Sequence, residues 1–328
     1  MRSRVAAREG VQRPWCAGGV RLVSAILVTG ATGQVGSALL EELVRRGAQT
    51  RAMVRTEEYA DGFAARGVEA VVGDFERPES LPGALSGVER VFLMSRDDPR
   101  QPEMEGGLIE AAARAGVGRI VKLSASGAGP DSPGALMRCH AQAERTLEDS
   151  GLGYTILRPQ LYMQNFLRFG PSIATDGRFA APMGNRRFAL VDVRDVARVA
   201  AAALTEEAHA GATYVVSGPE ALSYSEAAET IGAAIGKEVV YEPAEPRAFR
   251  DNLVVERGLP QWRADELAFI ASAYGGGAGE LVTNVVRRVG GSEPCSFAQF
   301  VKESTRTTSP PAFRTTCRTG THAGDPAP

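Results

Sequence analysis

The chain is short of the residues that build metal centres and disulfide frameworks. Its 328 residues include four cysteines, Cys16, Cys139, Cys295 and Cys317, and three histidines, all widely dispersed. None stand at zinc-ligand or redox spacing, so neither a metal site nor a disulfide scaffold is expected. Long apolar runs are missing too. The longest helix-like one, residues 196–204, is interrupted by Arg198 and falls far short of a bilayer span. Charge of one sign is not in surplus: 37 Lys and Arg face 39 Asp and Glu, for a net charge of −2. That balance gives no reason to expect a nucleic acid or an anionic membrane as partner. No Ser/His/Asp order and no paired carboxylates point to hydrolysis. What remains, 44% hydrophobic and 23% charged, is an ordinary globular composition with ample length for a core. The expectation is a reduced, cytoplasmic protein.

Both ends depart from this composition. Residues 1–23 carry Arg2, Arg4, Arg8, Arg13 and Arg21 against the single acid Glu9, without the apolar core of a signal peptide. Residues 305–328 are Thr, Pro, Gly and Arg with almost no aliphatics. A disordered leader and a disordered tail are expected around a folded body of residues 24–304.

The body is organised by its first element. A short β-branched run enters a turn in which Gly30, Gly33 and Gly36 recur at G-x-x-G-x-x-G spacing. Val35, Leu39 and Leu43 then mark one face of a helix, and Gly47 supplies a left-handed stop. Strand, glycine turn and helix form the phosphate-binding unit of a dinucleotide fold. Gly30 permits the turn, Gly33 lets backbone N–H groups approach a pyrophosphate, and Gly36 lets the helix pack on the strand. The positive end of the helix faces the anion.

Apolar strands and helical segments then alternate. Strands are predicted at residues 49–55, 68–72, 88–94, 119–123 and 154–157, with helices at 57–66, 78–85, 102–115 and 134–150. Successive βα units imply an α/β fold: a Rossmann-type, doubly wound parallel sheet with helices on both faces. Beyond Pro159 the rhythm loosens. Asp192 caps a further helix, with Asp195 in a capping-box-like position and Val193, Val196, Ala200 and Leu204 on its buried face. A strand at 213–216 rejoins the sheet, so a smaller C-terminal lobe, mainly residues 159–190 and 218–304, interleaves with it.

Ligands of such sheets bind beyond the carboxyl ends of the strands. Arg55 ends the second strand, where an NAD-preferring fold carries an acid; it could meet a 2′-phosphate, or be a solvated surface arginine. Asp74 and Phe75 end the third strand, to frame an adenine or to form an ordinary turn. Ser95 follows the fourth strand and Ser124-Ala125-Ser126 the fifth, suited to a ribose or a reacting carbonyl, or simply loop residues. Dehydrogenases and epimerases of this fold often carry a Tyr-x-x-x-Lys acid/base pair on the helix after the fifth strand. Here that helix has neither residue. His140 is the one group on it with an ordinary pKa near neutrality, either catalytic or a packed structural histidine. Tyr162 and Gln164 stand where they could line the substrate side, or equally be core and surface residues.

These residues converge on one family. Gly30-Ala31-Thr32-Gly33-Gln34-Val35-Gly36, Val54-Arg55, Gly73-Asp74-Phe75 and Ser150-Gly151-Leu152-x-Tyr154-Thr155-Ile156-Leu157-Arg158-Pro159 resemble the NmrA-like group of atypical short-chain dehydrogenase/reductases. Met163-Gln164-Asn165-Phe166, Asp192-Val193-Arg194-Asp195, Val216-Ser217-Gly218-Pro219 and Phe297-Ala298-Gln299-Phe300 match its later landmarks. The resemblance spans residues 25–303 and implies an NAD(P)-binding Rossmann fold. The expected cofactor-binding set is Gly30, Thr32, Gly33, Gln34, Val35, Gly36, Arg55, Asp74, Phe75, Ser95, Ser124 and Pro159. His140 is the expected catalytic residue, and no metal is expected. The group includes quinone-, azo- and enone-type reductases as well as regulators that bind the dinucleotide without turnover. The leading expectation is an NADPH-dependent oxidoreductase with a small electron-poor acceptor as partner. The alternative is an NAD(P)-sensing regulator with a protein partner.

Overall fold

A computed structural model of the chain describes residues 25–273 and 277–306. The expected leader lies outside the described residues, as does the expected tail apart from residues 305–306. Those two belong to the last helix.

β1 (Ala25–Val28) runs through the glycine turn into α1 (Gln34–Arg45). The alternation continues through β2 (Thr50–Val54), α2 (Ala60–Ala64), β3 (Glu69–Val72), α3 (Leu81–Leu85), β4 (Val88–Leu93) and α4 (Gln101–Ala115). It ends with β5 (Arg119–Leu123), α5 (Ala135–Asp149) and β6 (Gly153–Pro159). Then come α6 (Gly170–Asp176), β7 (Arg178–Ala181), β8 (Arg187–Phe188), α7 (Val193–Thr205) and β9 (Ala212–Val216). The remainder is β10 (Leu222–Ser223), α8 (Tyr224–Ile235), β11 (Val240–Pro243), α9 (Pro246–Val255), α10 (Gln261–Ala273), α11 (Val285–Arg288) and α12 (Phe297–Arg306). The predicted helices at 57–66 and 78–85 both begin as 3₁₀ turns, Glu57–Tyr59 and Pro78–Ser80.

Seven strands form one sheet in the order β3-β2-β1-β4-β5-β6-β9, every neighbouring pair parallel. This is the expected doubly wound α/β architecture. Helices cover both faces, which is why β1 and β5 are buried along their whole length. The direction of strand order reverses between β1 and β4, and the glycine turn opens onto the crevice there.

α7 is buried more completely than the expected stripe. Ala197, Val199 and Ala201–Ala203 are covered along with Val196, Ala200 and Leu204. The helix packs against α1 and α11 as well as the sheet. Asp192 caps it, accepting from Arg194 N at 2.8 Å. Asp195 does not complete a capping box; an aspartate is one methylene shorter than the glutamate such a box uses. Its carboxylate instead accepts from Cys295 N at 2.8 Å and pairs with Arg198. The full box forms at α8, between Ser223 and Glu226.

A second core lies outside the sheet, where Phe166, Phe169, Phe179, Phe188, Tyr224 and Phe297 cluster. Ring centroids of Phe169 and Phe179 lie 4.7 Å apart, those of Phe166 and Tyr224 4.8 Å. β7 with β11 and β8 with β10 form two small sheets around it. Among the described residues no helix is long and apolar enough to cross a membrane.

The tightest constraint in the first unit is at Gly36. A Cβ there would lie 2.2 Å from the Gly30 carbonyl oxygen, and Gly30 itself has φ +61°. Alanine is ordinarily the better helix former by about 1 kcal/mol. Here the backbone clash outweighs that gain, and Gly36→Ala is expected to destabilise by about 1–3 kcal/mol in urea unfolding. An unchanged midpoint would show that α1 does not need to approach the turn so closely.

Candidate functional site

Two adjoining clefts open along the carboxyl ends of the strands. The first, about 320 Å³, is lined by Gly30, Thr32, Gly33, Arg55, Asp74, Phe75 and Ser95. The second, about 380 Å³, is lined by Gln34, Val35, Ser95, Ser124, His140 and Pro159. The structure thus gathers the sequence-predicted residues along one crevice, except Gly36, which lines neither cleft and packs behind the turn. Met94 and Ser95 line both clefts. The Met94 methyl lies across the turn, where a Cβ on Gly30 would come within 2.2 Å of it. Thr29 fixes this strand end, its hydroxyl 2.8 Å from both the N and the O of Met94.

The N-terminus of α1 is built for an anion. Gly33 is its cap and offers no side chain, and the first turn holds no acid. The first-turn N–H groups, which have no partner within a helix, face the crevice with the positive end of the dipole. Arg55 is exposed at the rim of the first cleft. No carboxylate among the described residues pairs with it. Arg96, on the same cleft, is different: it and Arg100 both bind Asp98 and Glu76. Burial raises the Asp98 carboxyl, but hydrogen bonds from Arg100 and Arg96 outweigh this and hold it at about 2. Asp74 forms its turn, accepting from Glu76 N at 3.0 Å, while lining the cleft.

Two serines have their single hydrogens committed. Ser95 Oγ donates to Glu105 Oε1 at 2.9 Å, and Ser124 Oγ to Glu144 Oε1 at 2.5 Å. Towards the cleft each hydroxyl can only accept. In this arrangement they suit the O–H groups of a ribose better than a reacting carbonyl. Glu144 is in turn gripped by both Arg158 Nε and Nη2.

His140, the expected catalytic residue, stands in the second cleft. Burial, and then the ammonium of Lys122, push its pKa down to about 3. At neutral pH it is uncharged and holds no surplus proton to give. Behind it lies a polar chain that local sequence reading missed. Lys122 and Glu105 are both fully buried and ion-paired. Glu105 Oε1 accepts from Gln101 Nε2 at 3.0 Å, and the same amide nitrogen lies 3.2 Å from His140 Nδ1. A signal was present: Lys122 is one of three lysines in the chain and stands inside an apolar strand. Such a charge demands a buried partner.

Gln164 does not line the substrate side. Its amide bonds Asp192 Oδ1 and Val193 N, while Tyr162 and Asn165 face the cleft. The outer wall comes from α10, through Arg263 and Leu267. Glu266 holds that helix in place, accepting from Ala135 N at 2.9 Å and Leu136 N at 3.1 Å at the start of α5. Gly134, the cap of α5, could not supply that carboxylate. Among the described residues no three His, Cys, Asp or Glu side chains converge as a metal site.

With this geometry in view, the comparisons with known proteins are specific. The model of the NmrA-like family matches residues 23–283. The chain belongs to the NmrA-like family. It is 35% identical over 281 residues to the NAD(P)H azoreductase of Xenophilus azovorans, covering 84% of this chain and 96% of that one. The NADPH complex of a quinone oxidoreductase from Escherichia coli superposes with a TM-score of 0.78 at 30% identity, covering 85% of this chain and 99% of that one. The Citrobacter sp. triphenylmethane reductase in complex with NADP(H) gives 0.76 at 29% identity, with coverage of 85% and 99%. Family and fold together are those of NAD(P)-binding oxidoreductases.

The buried pair behind the site can be tested by stability. Glu105→Ala leaves the Lys122 ammonium uncompensated and should cost about 3–5 kcal/mol in urea unfolding. The double variant Lys122→Met/Glu105→Leu should recover most of that loss. Equal losses in single and double variants would contradict the pairing.

Proposed function

We propose that the protein is an NADPH-dependent reductase acting on a small, flat, electron-poor acceptor of the quinone, enone or azo type. The observation that carries the reading is the second cleft. Leu123, Leu136, Met137, Leu161 and Leu267 supply its apolar wall, Asp97 and Arg263 its charged part, and its one imidazole is uncharged. Such a cleft, beside an anion-binding turn, favours an acceptor that needs orientation more than a dedicated acid. The names of the relatives, an azoreductase, a quinone oxidoreductase and a triphenylmethane reductase, support the same class.

The residues divide the work. The first-turn N–H groups of α1 hold the diphosphate, with Gly30 and Gly33 leaving room for it. Arg55 binds the 2′-phosphate, while Asp74 and Phe75 frame the adenine. Ser95 and Ser124 accept from ribose hydroxyls, and Pro159 backs the nicotinamide. When bound, the cofactor supplies the hydride. Two-electron transfer leaves negative charge on an oxygen or nitrogen of the acceptor, which takes its proton from water. The apolar walls orient the acceptor, and His140 polarises it through a hydrogen bond.

Purified protein should oxidise NADPH in the presence of quinones or azo dyes and do so poorly with simple ketones, which require protonation. Binding of NADPH without acceptor-dependent loss of its absorbance across that panel would overturn the reductase reading in favour of a sensor. Cofactor choice is a separate test. A hydrogen bond to a charged group contributes about 1.5–3 kcal/mol, roughly a ten- to hundredfold preference for NADPH over NADH. Arg55→Ala should erase most of it and leave NADH affinity nearly intact by calorimetry. Equal affinities in the wild type would contradict the role of Arg55.

A further inference from the structure

The polar chain behind His140 has a fixed direction. At its base the Lys122 ammonium donates to Glu105 Oε2. The other oxygen, Oε1, accepts from Ser95 Oγ at 2.9 Å and from Gln101 Nε2 at 3.0 Å. The Gln101 amide cannot be reversed, because its oxygen would then face the Glu105 carboxylate. It keeps this orientation although its own Oε1 is left buried without a partner. One hydrogen of the NH₂ group goes to Glu105, and the other faces His140 Nδ1 at 3.2 Å. An amide NH₂ only donates, so Nδ1 must accept, and the uncharged ring carries its hydrogen on Nε2. Nε2 has no protein partner among the described residues, and the ring lines the second cleft. Lys122 and Glu105 stand behind the imidazole, and Asp97 and Arg263 share the cleft wall.

We propose that Gln101, oriented by the Glu105–Lys122 pair, is a positioning residue that fixes His140 as the Nε2–H tautomer and so presents an N–H donor to the acceptor. The tautomer follows from the chain of donors alone. The statement of what the N–H meets rests on the reductase reading. A neutral donor of this kind strengthens its hydrogen bond as charge grows on the acceptor atom, without giving up its proton. Because the Gln101 NH₂ is the group that Nδ1 accepts from, removing it frees the ring to exchange tautomers.

The test is direct, since the chain has only three histidines, His140, His209 and His322. Nitrogen-15 NMR of histidine-labelled full-length protein reads the ring state, with His140→Ala to assign the signal. In the wild type at neutral pH, His140 should show the neutral Nε2–H pattern. Gln101→Met, close in size but without a donor, should give mixed tautomers. The same variant should lower kcat for a quinone by about tenfold, with NADPH affinity unchanged. A wild-type Nδ1–H or imidazolium pattern would overturn the proposal before any variant is made. An Nε2–H pattern that survives Gln101→Met would overturn the role of Gln101, and lost fixation with unchanged kcat would overturn the donor role. An Nε2–H ring in a protein that binds NADPH but fails to oxidise it with any acceptor of the panel strikes the reductase reading and leaves the tautomer relay standing.

Discussion

Lys122 sits in a strand covered on both faces, where an ammonium must find an anion or be expelled. Glu105, equally buried on α4, answers it. That requirement fixes which face of α4 turns towards β5, and hence where Gln101, one turn earlier on the same helix, can reach. The carboxylate has a second oxygen to satisfy, and Ser95 and Gln101 fill it. Through Gln101 the pairing extends to His140 on α5, so one buried charge sets the polarity of the chain from the sheet to the cleft.

Another buried carboxylate, Glu144, repeats the arrangement at the end of β5. Glu144 takes the hydrogen of Ser124 and both bonds of the Arg158 fork. The hydroxyls at the ends of β4 and β5 are therefore placed to accept, and the imidazole that shares their cleft is an uncharged donor. With the glycine turn providing N–H groups at one end, the crevice offers its donors and acceptors in a fixed sequence along its length. A site so preorganised suits a reaction in which position and electrostatics matter and a protonated side chain does not.

Much of the fold could be read from the chain because its signals are local. β-branched runs, the Gly30, Gly33 and Gly36 spacing, and the Asp192 cap each report on conformation within a few residues. The position of Arg55 at a strand end is equally local. What escaped is what crosses elements. Lys122 and Glu105 stand 17 residues apart, Gln101 and His140 39, and Ala135 and Glu266 131. No periodicity links such pairs. His140 looked suited to proton transfer because its ordinary pKa assumes water around it, and burial beside Lys122 removes that assumption. Gln164 and Asn165 are neighbours in a 3₁₀ turn, Met163–Phe169, where one step moves a side chain by a third of a turn. Only the second of them faces the cleft.

The most direct measurement is the single-turnover rate of NADPH oxidation by a quinone, followed from about pH 5 to pH 8, with the cofactor also deuterated at the transferred position. A hydride step in a site with a neutral imidazole should show a primary isotope effect and a rate that stays flat through the range where a solvated histidine titrates. An acidic or basic limb centred near the ordinary imidazole value, and abolished by His140→Ala, would mean that His140 exchanges a proton during the reaction and would contradict the assignment of a neutral donor.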